Sequence, residues 1–155
     1  MALFDEAITW LVCRGQVGQW GAAPASSRTP LRERVAGMAS RGGLHLAEHE
    51  GALVGALAVG SAPAYVRPVS VPEVYIELLL SSRRCAGHGI GRDLLKVATD
   101  IARRRNARLL RLDCWAGAPR LVEWYEEQGF ARSALFTLDD GWTGQVLQKP
   151  IASGR

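Results

Sequence analysis

The sequence is poor in the residues that build disulfide frameworks and metal sites. Its 155 residues include three cysteines and three histidines. The cysteines at Cys13, Cys85 and Cys114 are odd in number and show no Cys-x-x-Cys spacing, which argues against both a disulfide framework and a zinc site. The histidines do not complete a ligand set, so we predict no metal site.

Long apolar segments are also missing. Residues 1–6 lack the basic start and the apolar run of a secretory signal. The longest uncharged stretch, residues 51–66, is too short and too rich in glycine and proline to span a bilayer. The sequence therefore predicts a cytoplasmic protein with no membrane partner.

A strong imbalance of charge is absent as well. The formal net charge is +4 and the pI is about 9.3, a mildly basic balance that suits an anionic ligand without requiring nucleic acid. No stripe of interleaved basic and aromatic residues, of the kind that binds single strands, is present. We therefore predict no nucleic-acid partner. The length of 155 residues predicts a single domain over residues 1–155.

Hydrophobic periodicity predicts ten elements in the order α-α-β-β-β-α-β-α-β-β. The predicted helices cover residues 3 to about 19 (interrupted by Gly15), 29 to about 41, 90 to about 103, and 119–128. The predicted strands cover residues 44–48, 52–59, 73–80, 109–115, 130–138 and 142–149. Because residues 73–115 read as a strand–helix–strand crossover, part of the sheet should be parallel. The fold class predicted is α/β with a mixed sheet.

Three details of the helices are testable. Thr29 is predicted to be an N-cap followed by Pro30 at the first helical position, with Glu33 in the first turn. The third helix is predicted to bury one apolar face, and Asp100 is spaced to pair with Arg104. The residues of that predicted face are Ile90, Leu94, Val97, Ala98 and Ile101.

A run of alternating glycines opens the third helix at Gly87, Gly89 and Gly91. Glycine allows positive φ and a close approach of the backbone to a ligand. The unpaired amides of a first helical turn, together with the helix dipole, bind anions. The basic residues nearest in sequence are Arg83, Arg84, His88 and Arg92. This pattern predicts a pyrophosphate site, and the alternative is a glycine-rich turn that holds no ligand.

The identity of a phosphate ligand is not decided by the glycines alone. The Gly-Lys-Ser or Gly-Lys-Thr of a P-loop is absent. A nicotinamide-dinucleotide fold would have its third glycine where Arg92 stands, and Asp113 would be its acidic residue. Residues 81–86 intervene between strand and glycines, which counts against that fold, but the alternative stays open at this point.

Three segments between residues 73 and 131 together resemble the GNAT superfamily of N-acetyltransferases. The first is YIELLLS (residues 75–81), similar to the family's cofactor-binding strand. The second is RCAGHG (residues 84–89), which fits the family's Gln/Arg-x-x-Gly-x-Gly/Ala pattern. The third is LDCW (residues 112–115), followed by Tyr125 and by Gly129-Phe130.

Two positions depart from the pattern. Ala86 stands where many members have Arg or Gln, so that Arg84 would supply the charge, and Ala118 stands where many have Asn.

The resemblance implies a mixed sheet that splays around acetyl-CoA, flanked by helices. The pantetheine arm would bond to the backbone of Leu79, Leu80 and Ser81. The pyrophosphate would rest on the glycine loop and helix start. The residues implied for the pyrophosphate are Arg84, Gly87, His88, Gly89, Ile90, Gly91 and Arg92. The implied activity is transfer of an acetyl group to a primary amine of a small molecule or peptide.

Two side chains are candidates for the chemistry. Tyr125 is the general acid that the resemblance implies for the departing thiolate. Glu77 and Glu73 share one face of their strand with Tyr75, and Glu77 is the candidate base that takes the proton of the amine. The alternatives are solvated carboxylates and a water chain to solvent. A non-catalytic acyl-CoA-binding or regulatory module is the alternative function. The acceptor's identity and the oligomeric state, with a homodimer among the options, stay open.

Overall fold

The computed structural model describes residues 1–152, and its elements follow the predicted order. The helices are α1 (Ala2–Val12), α2 (Thr29–Ser40), α3 (Ile90–Arg104) and α4 (Pro119–Glu127). The strands are β1 (Leu44–His49), β2 (Ala52–Gly60), β3 (Glu73–Ser81), β4 (Leu109–Trp115), β5 (Ala131–Thr137) and β6 (Thr143–Pro150). Short 3-10 turns cover Ala25–Ser27 and Arg83–Cys85. The predicted α/β class is confirmed.

The six strands form one mixed sheet in the order β1-β2-β3-β4-β6-β5. β1 and β2 are an antiparallel hairpin, and Glu50 and Gly51 make its turn with φ of 50° and 75°. β3 and β4 are parallel, from Glu73 opposite Leu109 to Ile76 opposite Leu112. β6 pairs antiparallel with both β4 and β5. The crossover predicted from residues 73–115 therefore exists, and β3 continues past its ladder with β4 to Ser81.

Two helix boundaries differ from the prediction. α1 ends at Val12 instead of near residue 19, because the chain turns at Gly15, which has a φ of 68°. α2 is capped by Arg28, without a side-chain cap hydrogen bond in the described chain, and Thr29 is already helical. Glu33 therefore lies beyond the first turn, and its predicted role there is wrong.

The buried face of α3 is also rotated from the prediction. Val97 is 39% exposed. The buried hydrophobic side chains are Leu94, Leu95, Ala98, Ile101 and Ala102, at a spacing of one, three, three and one. Leu95 and Ala102 thus take the place predicted for Val97. Asp100 pairs with Arg103 at 3.0 Å, one residue before the predicted Arg104.

Backbone contacts divide the chain into two compact units, each made of two segments. Unit 1 comprises Met1–Val59 and Leu78–Leu95. Its core packs α1 and α2 against strand residues, with Phe4, Ile8, Met38, Ala58 and Leu80 among the buried side chains. Unit 2 comprises Gly60–Glu77 and the chain from Lys96 onward. One of its clusters joins Val66, Tyr75 and Val146. The prediction of one domain over residues 1–155 stays a prediction.

Candidate active site

The glycine loop of unit 1 adopts a conformation that requires glycine. Gly87 has a φ of 85° and Gly89 a φ of 77°, a region that side chains of L-residues rarely tolerate. The His88 amide donates to the Cys85 carbonyl at 3.1 Å, which closes the turn from Cys85 to His88 that contains Gly87. A Cβ at Gly87 or Gly89 would meet no atom of the described chain within 4 Å. The loop therefore presents bare backbone to open space, as a phosphate site needs.

The first turn of α3 supplies donors next to this loop. The Asp93 amide donates to the Gly89 carbonyl at 3.0 Å, which is the first bond of the helix. The amides of Ile90, Gly91 and Arg92 precede it and, within the described chain, have no helical carbonyl to bond. Gly91 lies inside the helix without positive φ. These amides and the helix dipole fit a pyrophosphate, so the residues present fit acetyl-CoA at this position.

The remaining predicted cofactor residues lie in the same unit. Leu80 is buried, whereas Leu79 and Ser81 are half-buried at the end of β3. Arg84, His88 and Arg92 are exposed. The structure therefore brings the predicted pantetheine and pyrophosphate residues into one compact unit, from the end of β3 through the first turn of α3.

Glu6 on α1 holds the segment that leads into the glycine loop. Its Oε1 accepts hydrogen bonds from Ser82 Oγ at 2.8 Å and from the Arg83 amide at 2.6 Å. The Arg84 guanidinium lies 3.6 Å from its Oε2. Burial raises the pKa of Glu6, but the bonds from Ser82 and Arg83 and the charge of Arg84 outweigh it, and the pKa is lowered. The carboxylate is therefore ionised and ties α1 to the start of the loop.

A tryptophan stacks with arginines beside this carboxylate. The guanidinium groups of Arg83 and Arg14 each lie 4.3 Å from the centroid of the Trp10 ring. Glu6, Thr9, Trp10, Arg83 and Arg84 line an open surface groove. Arg84 was predicted to supply the positive charge that Ala86 does not. Its side chain is 82% exposed and forms an ion pair with Glu6.

Tyr125 of unit 2 is buried, with 7% exposure, on α4. Its ring makes edge contacts with Trp124 and Phe130, at centroid distances of 5.0 Å and 5.8 Å. Burial, and then the neighbouring Cys114 and Asp113, raise the pKa of its hydroxyl well above the usual value. The phenol thus stays protonated at neutral pH and keeps a hydrogen to donate. Cys114 is also buried, and burial followed by the charge of Asp113 raises the pKa of its thiol to about 12, as expected for a structural thiol.

The two candidate base residues have different environments in unit 2. Glu73 Oε2 accepts a bond of 2.9 Å from Nη1 of Arg111, which is 2% exposed. Nη2 of Arg111 donates to the Arg67 carbonyl at 3.0 Å and so ties the 61–72 loop to β4. Glu73 is therefore the counterion of a buried arginine, a structural role that accounts for its carboxylate.

Glu77 is half-buried on the same face of β3. Its carboxylate lies against Gly60, where a Cβ would be 2.6 Å from Oε2. Between the two glutamates, the Tyr75 hydroxyl donates to Asp113 Oδ1. Burial and then Asp113 raise the pKa of Tyr75, so this phenol also stays neutral.

Two other features are absent from the described residues. Residues 1–152 hold no cluster of His, Cys, Asp and Glu with the makings of a metal site. Across the same residues, none of the helices combines the length and apolar character that a bilayer crossing needs.

Comparison with known families decides what this loop belongs to. The model of the acetyltransferase (GNAT) family matches residues 5–130. The chain belongs to the GNAT family. For a GNAT protein, the cofactor that the family implies is acetyl-CoA and the reaction is acyl-CoA-dependent acetyl transfer to an amine. The glycine loop, α3 and Tyr125 all fall inside the matched range.

Solved structures show the same fold at low sequence identity. A putative GNAT acetyltransferase from Desulfovibrio desulfuricans is 18% identical, with coverage of 97% of this chain and 92% of that one, at a TM-score of 0.69. A ribosomal-protein-alanine N-acetyltransferase from Brucella melitensis is 21% identical, with 96% and 90% covered, at 0.67. A GNAT acetyltransferase from Elizabethkingia anophelis with acetyl-CoA bound is 16% identical, with 79% and 84% covered, at 0.63. A search of curated proteins found no match.

Three residues with structural roles at these sites were not found from the sequence. Glu6, Gly60 and Arg111 act through contacts with residues far along the chain, and none lies in a recognisable motif. Only Arg111 carried a signal, because a charged residue at the centre of an apolar strand needs a partner.

Proposed function

We propose that this GNAT protein transfers the acetyl group of acetyl-CoA to a primary amine of a small molecule or peptide in the cytoplasm. The observation that carries the proposal is the pair of positive-φ glycines directly before the unpaired amides of α3. Bare backbone and a helix N-terminus together bind a pyrophosphate. The family match over residues 5–130 makes acetyl-CoA the pyrophosphate ligand to expect, ahead of a nicotinamide dinucleotide.

The cofactor contacts are assigned along unit 1. Gly87, His88 and Gly89, with the amides of Ile90, Gly91 and Arg92, hold the pyrophosphate. The Arg84 and Arg92 side chains add positive charge near it. Backbone groups of Leu79, Leu80 and Ser81, at the end of β3, bond to the pantetheine arm.

Acetyl-CoA supplies an acetyl thioester, whose carbonyl accepts the amine and whose thiol leaves. Tyr125 assists departure by donating its hydroxyl hydrogen to the sulfur. Burial keeps this phenol protonated, and the rings of Trp124 and Phe130 hold it in place. A thiol pKa of about 8.5 makes the thiolate a fair leaving group, so the help required is moderate.

Glu77 acts as the base. A primary alkyl amine with a pKa of about 10.4 is mostly protonated at neutral pH and must lose a proton before or during attack. Glu77 is half-buried on β3, whereas Glu73 is the counterion of the buried Arg111. The proton passes from the amine nitrogen to a carboxylate oxygen of Glu77, directly or through one water.

The acceptor is assigned only as a primary amine. The Brucella melitensis relative is named for ribosomal-protein alanine, but at 21% identity the likeness supports the fold alone. The test is a panel of spermidine, benzylamine, a lysine derivative and alanine-initiated peptides, with acetyl-CoA and detection of free thiol. We expect thiol release that depends on one of these amines. A protein that binds acetyl-CoA but releases no thiol with any amine would be the non-catalytic module instead.

A further inference from the structure

Gly60 ends β2, and its backbone does not explain why it is a glycine. Its φ lies outside the positive region occupied by glycines such as Gly51 and Gly89. Alanine would therefore be allowed at this position by the backbone. It would also be mildly favourable, because alanine has less freedom than glycine in the unfolded chain.

A Cβ at position 60 would come closest to the side chain of Glu77. The three nearest atoms to a Cβ there all belong to the Glu77 carboxylate, with Oε2 at 2.6 Å, Cδ at 2.8 Å and Oε1 at 3.2 Å. Gly55 earlier in β2 is different, because its Cβ would meet the core side chains of Ile90 and Leu94, at 2.8 Å and 2.9 Å. Glycine at 60 thus makes room for a carboxylate, whereas glycine at 55 makes room for the core.

We infer that Gly60 is a positioning residue that sets where the Glu77 carboxylate lies for proton transfer from the acceptor amine. The inference rests on the proposed function, in which Glu77 is the base. A base must stay within hydrogen-bond reach of the proton it takes, and a displacement of about 1 Å is enough to lower a rate about a hundredfold. A methyl group at position 60 moves the end of a flexible side chain and leaves the two strands in place.

The experiment is a double-mutant cycle of Gly60→Ala and Glu77→Ala, with Gly37→Ala as the matched control. Gly37 also has an ordinary φ, and its Cβ would lie 3.2 Å from the flexible end of Arg41 and not from a carboxylate. Rates are measured by thiol release with acetyl-CoA and the best amine among spermidine, benzylamine, a lysine derivative and an alanine-initiated peptide. Crystal structures of wild type and Gly60→Ala are compared at Glu77.

We expect Gly60→Ala to lower kcat about ten- to a hundredfold, with unchanged KM for acetyl-CoA and unchanged thermal stability. The effect should vanish in the Glu77→Ala background, and Gly37→Ala should match wild type. The crystal structure should show the carboxylate displaced over an unchanged backbone. A wild-type kcat in Gly60→Ala, combined with a lowered kcat in Glu77→Ala, would overturn the inference. It would also be overturned if Gly60→Ala lowered kcat in the Glu77→Ala background as much as in wild type. Absence of thiol release by wild type would instead contradict the proposed function, and an unmoved carboxylate in the crystal would still overturn the inference.

Discussion

Gly89 meets two separate requirements, a backbone with positive φ and a surface without a side chain. Gly51, in the β1–β2 turn, meets only the first. The two residues have φ of 77° and 75°, and a Cβ at either would meet no described atom within 4 Å. A side chain would therefore cause similar backbone strain at Gly89 and at Gly51, but only Gly89 lies at the proposed pyrophosphate site.

Substitution of each by alanine separates strain from ligand contact. We expect Gly89→Ala and Gly51→Ala to lose similar stability, about 1–2 kcal/mol. Only Gly89→Ala should weaken acetyl-CoA binding, by about tenfold or more, or about 1.4 kcal/mol. Thermal melting and calorimetric titration on the same preparations measure both. Equal affinity of the two variants for acetyl-CoA would contradict the assignment of the glycine loop to the cofactor site.

Tyr125→Phe keeps the aromatic ring and removes the hydroxyl group, and with it the hydrogen that the proposed acid donates. We expect turnover to fall on the order of ten- to a thousandfold, with acetyl-CoA affinity and melting temperature nearly unchanged. The ring contacts with Trp124 and Phe130 do not need the hydroxyl. Single-turnover kinetics must accompany the steady state so that product release is not mistaken for chemistry. A wild-type single-turnover rate would rule out Tyr125 as the acid, and joint loss of binding and stability would assign it to packing.

The two glutamates of β3 should respond in opposite ways to replacement by glutamine. Glu73→Gln weakens the partner of the buried Arg111 and should lower the free energy of unfolding by about 1–3 kcal/mol, with little change in turnover per folded molecule. Glu77→Gln should lower turnover roughly a hundredfold and leave stability near wild type. Chemical denaturation and thiol release distinguish the two. Normal rates in both variants and in the double variant would leave proton removal to a water chain.

At the scale of elements, Glu6 links α1 to the segment between β3 and α3. Its lowered pKa means that this link stabilises the fold fully above the usual value near 4.5 and is lost as pH falls through the lower folded value. Glu6→Gln keeps an oxygen acceptor but removes the charge. We expect wild type to melt higher than Glu6→Gln at pH 7, and the gap to close as the pH falls below about 4. A gap that stays constant with pH would show that the charge of Glu6 contributes nothing.

Elements with strong local signals were predictable from the sequence. α3 follows glycines and carries a clear amphipathic pattern, and the strands predicted at residues 44–48 and 52–59 form the β1–β2 hairpin. The end of α1 was predicted less well, because the expected interruption at Gly15 was not taken as the end of the helix, whereas the chain leaves the helix at Val12 and turns at Gly15. The error at Val97 arose because one face of a helix can be shifted by one residue without changing the periodicity.

The glycine loop could be found because its signal is local, with three glycines at the start of one helix. The contacts around it depend on the folded chain. Glu6 meets Ser82 across 76 positions, and Arg111 meets Glu73 across 38. No spacing rule in the sequence connects such residues. Gly60 has no side chain whose chemistry would indicate its closeness to Glu77. The sequence could therefore locate the glycine loop, whereas these contacts between distant residues required the structure.

For the whole molecule, the proposed activity draws on both compact units. The proposed cofactor residues, from the end of β3 to the start of α3, belong to unit 1, and the proposed acid and base, Tyr125 and Glu77, belong to unit 2. The glycine loop alone would predict a protein that binds acetyl-CoA. Because the proposed transfer also requires Tyr125 and Glu77, acetyl-CoA binding and turnover test different residues.

Calorimetric titration of the wild-type protein with acetyl-CoA, and in parallel with NAD, is the measurement that tests the central claim most directly. The account predicts saturable binding of acetyl-CoA with one site per chain, weakened in Gly89→Ala and kept in Gly51→Ala, and no comparable binding of NAD. Absence of acetyl-CoA binding by the folded wild-type protein, or NAD binding that Gly89→Ala abolishes, would contradict it.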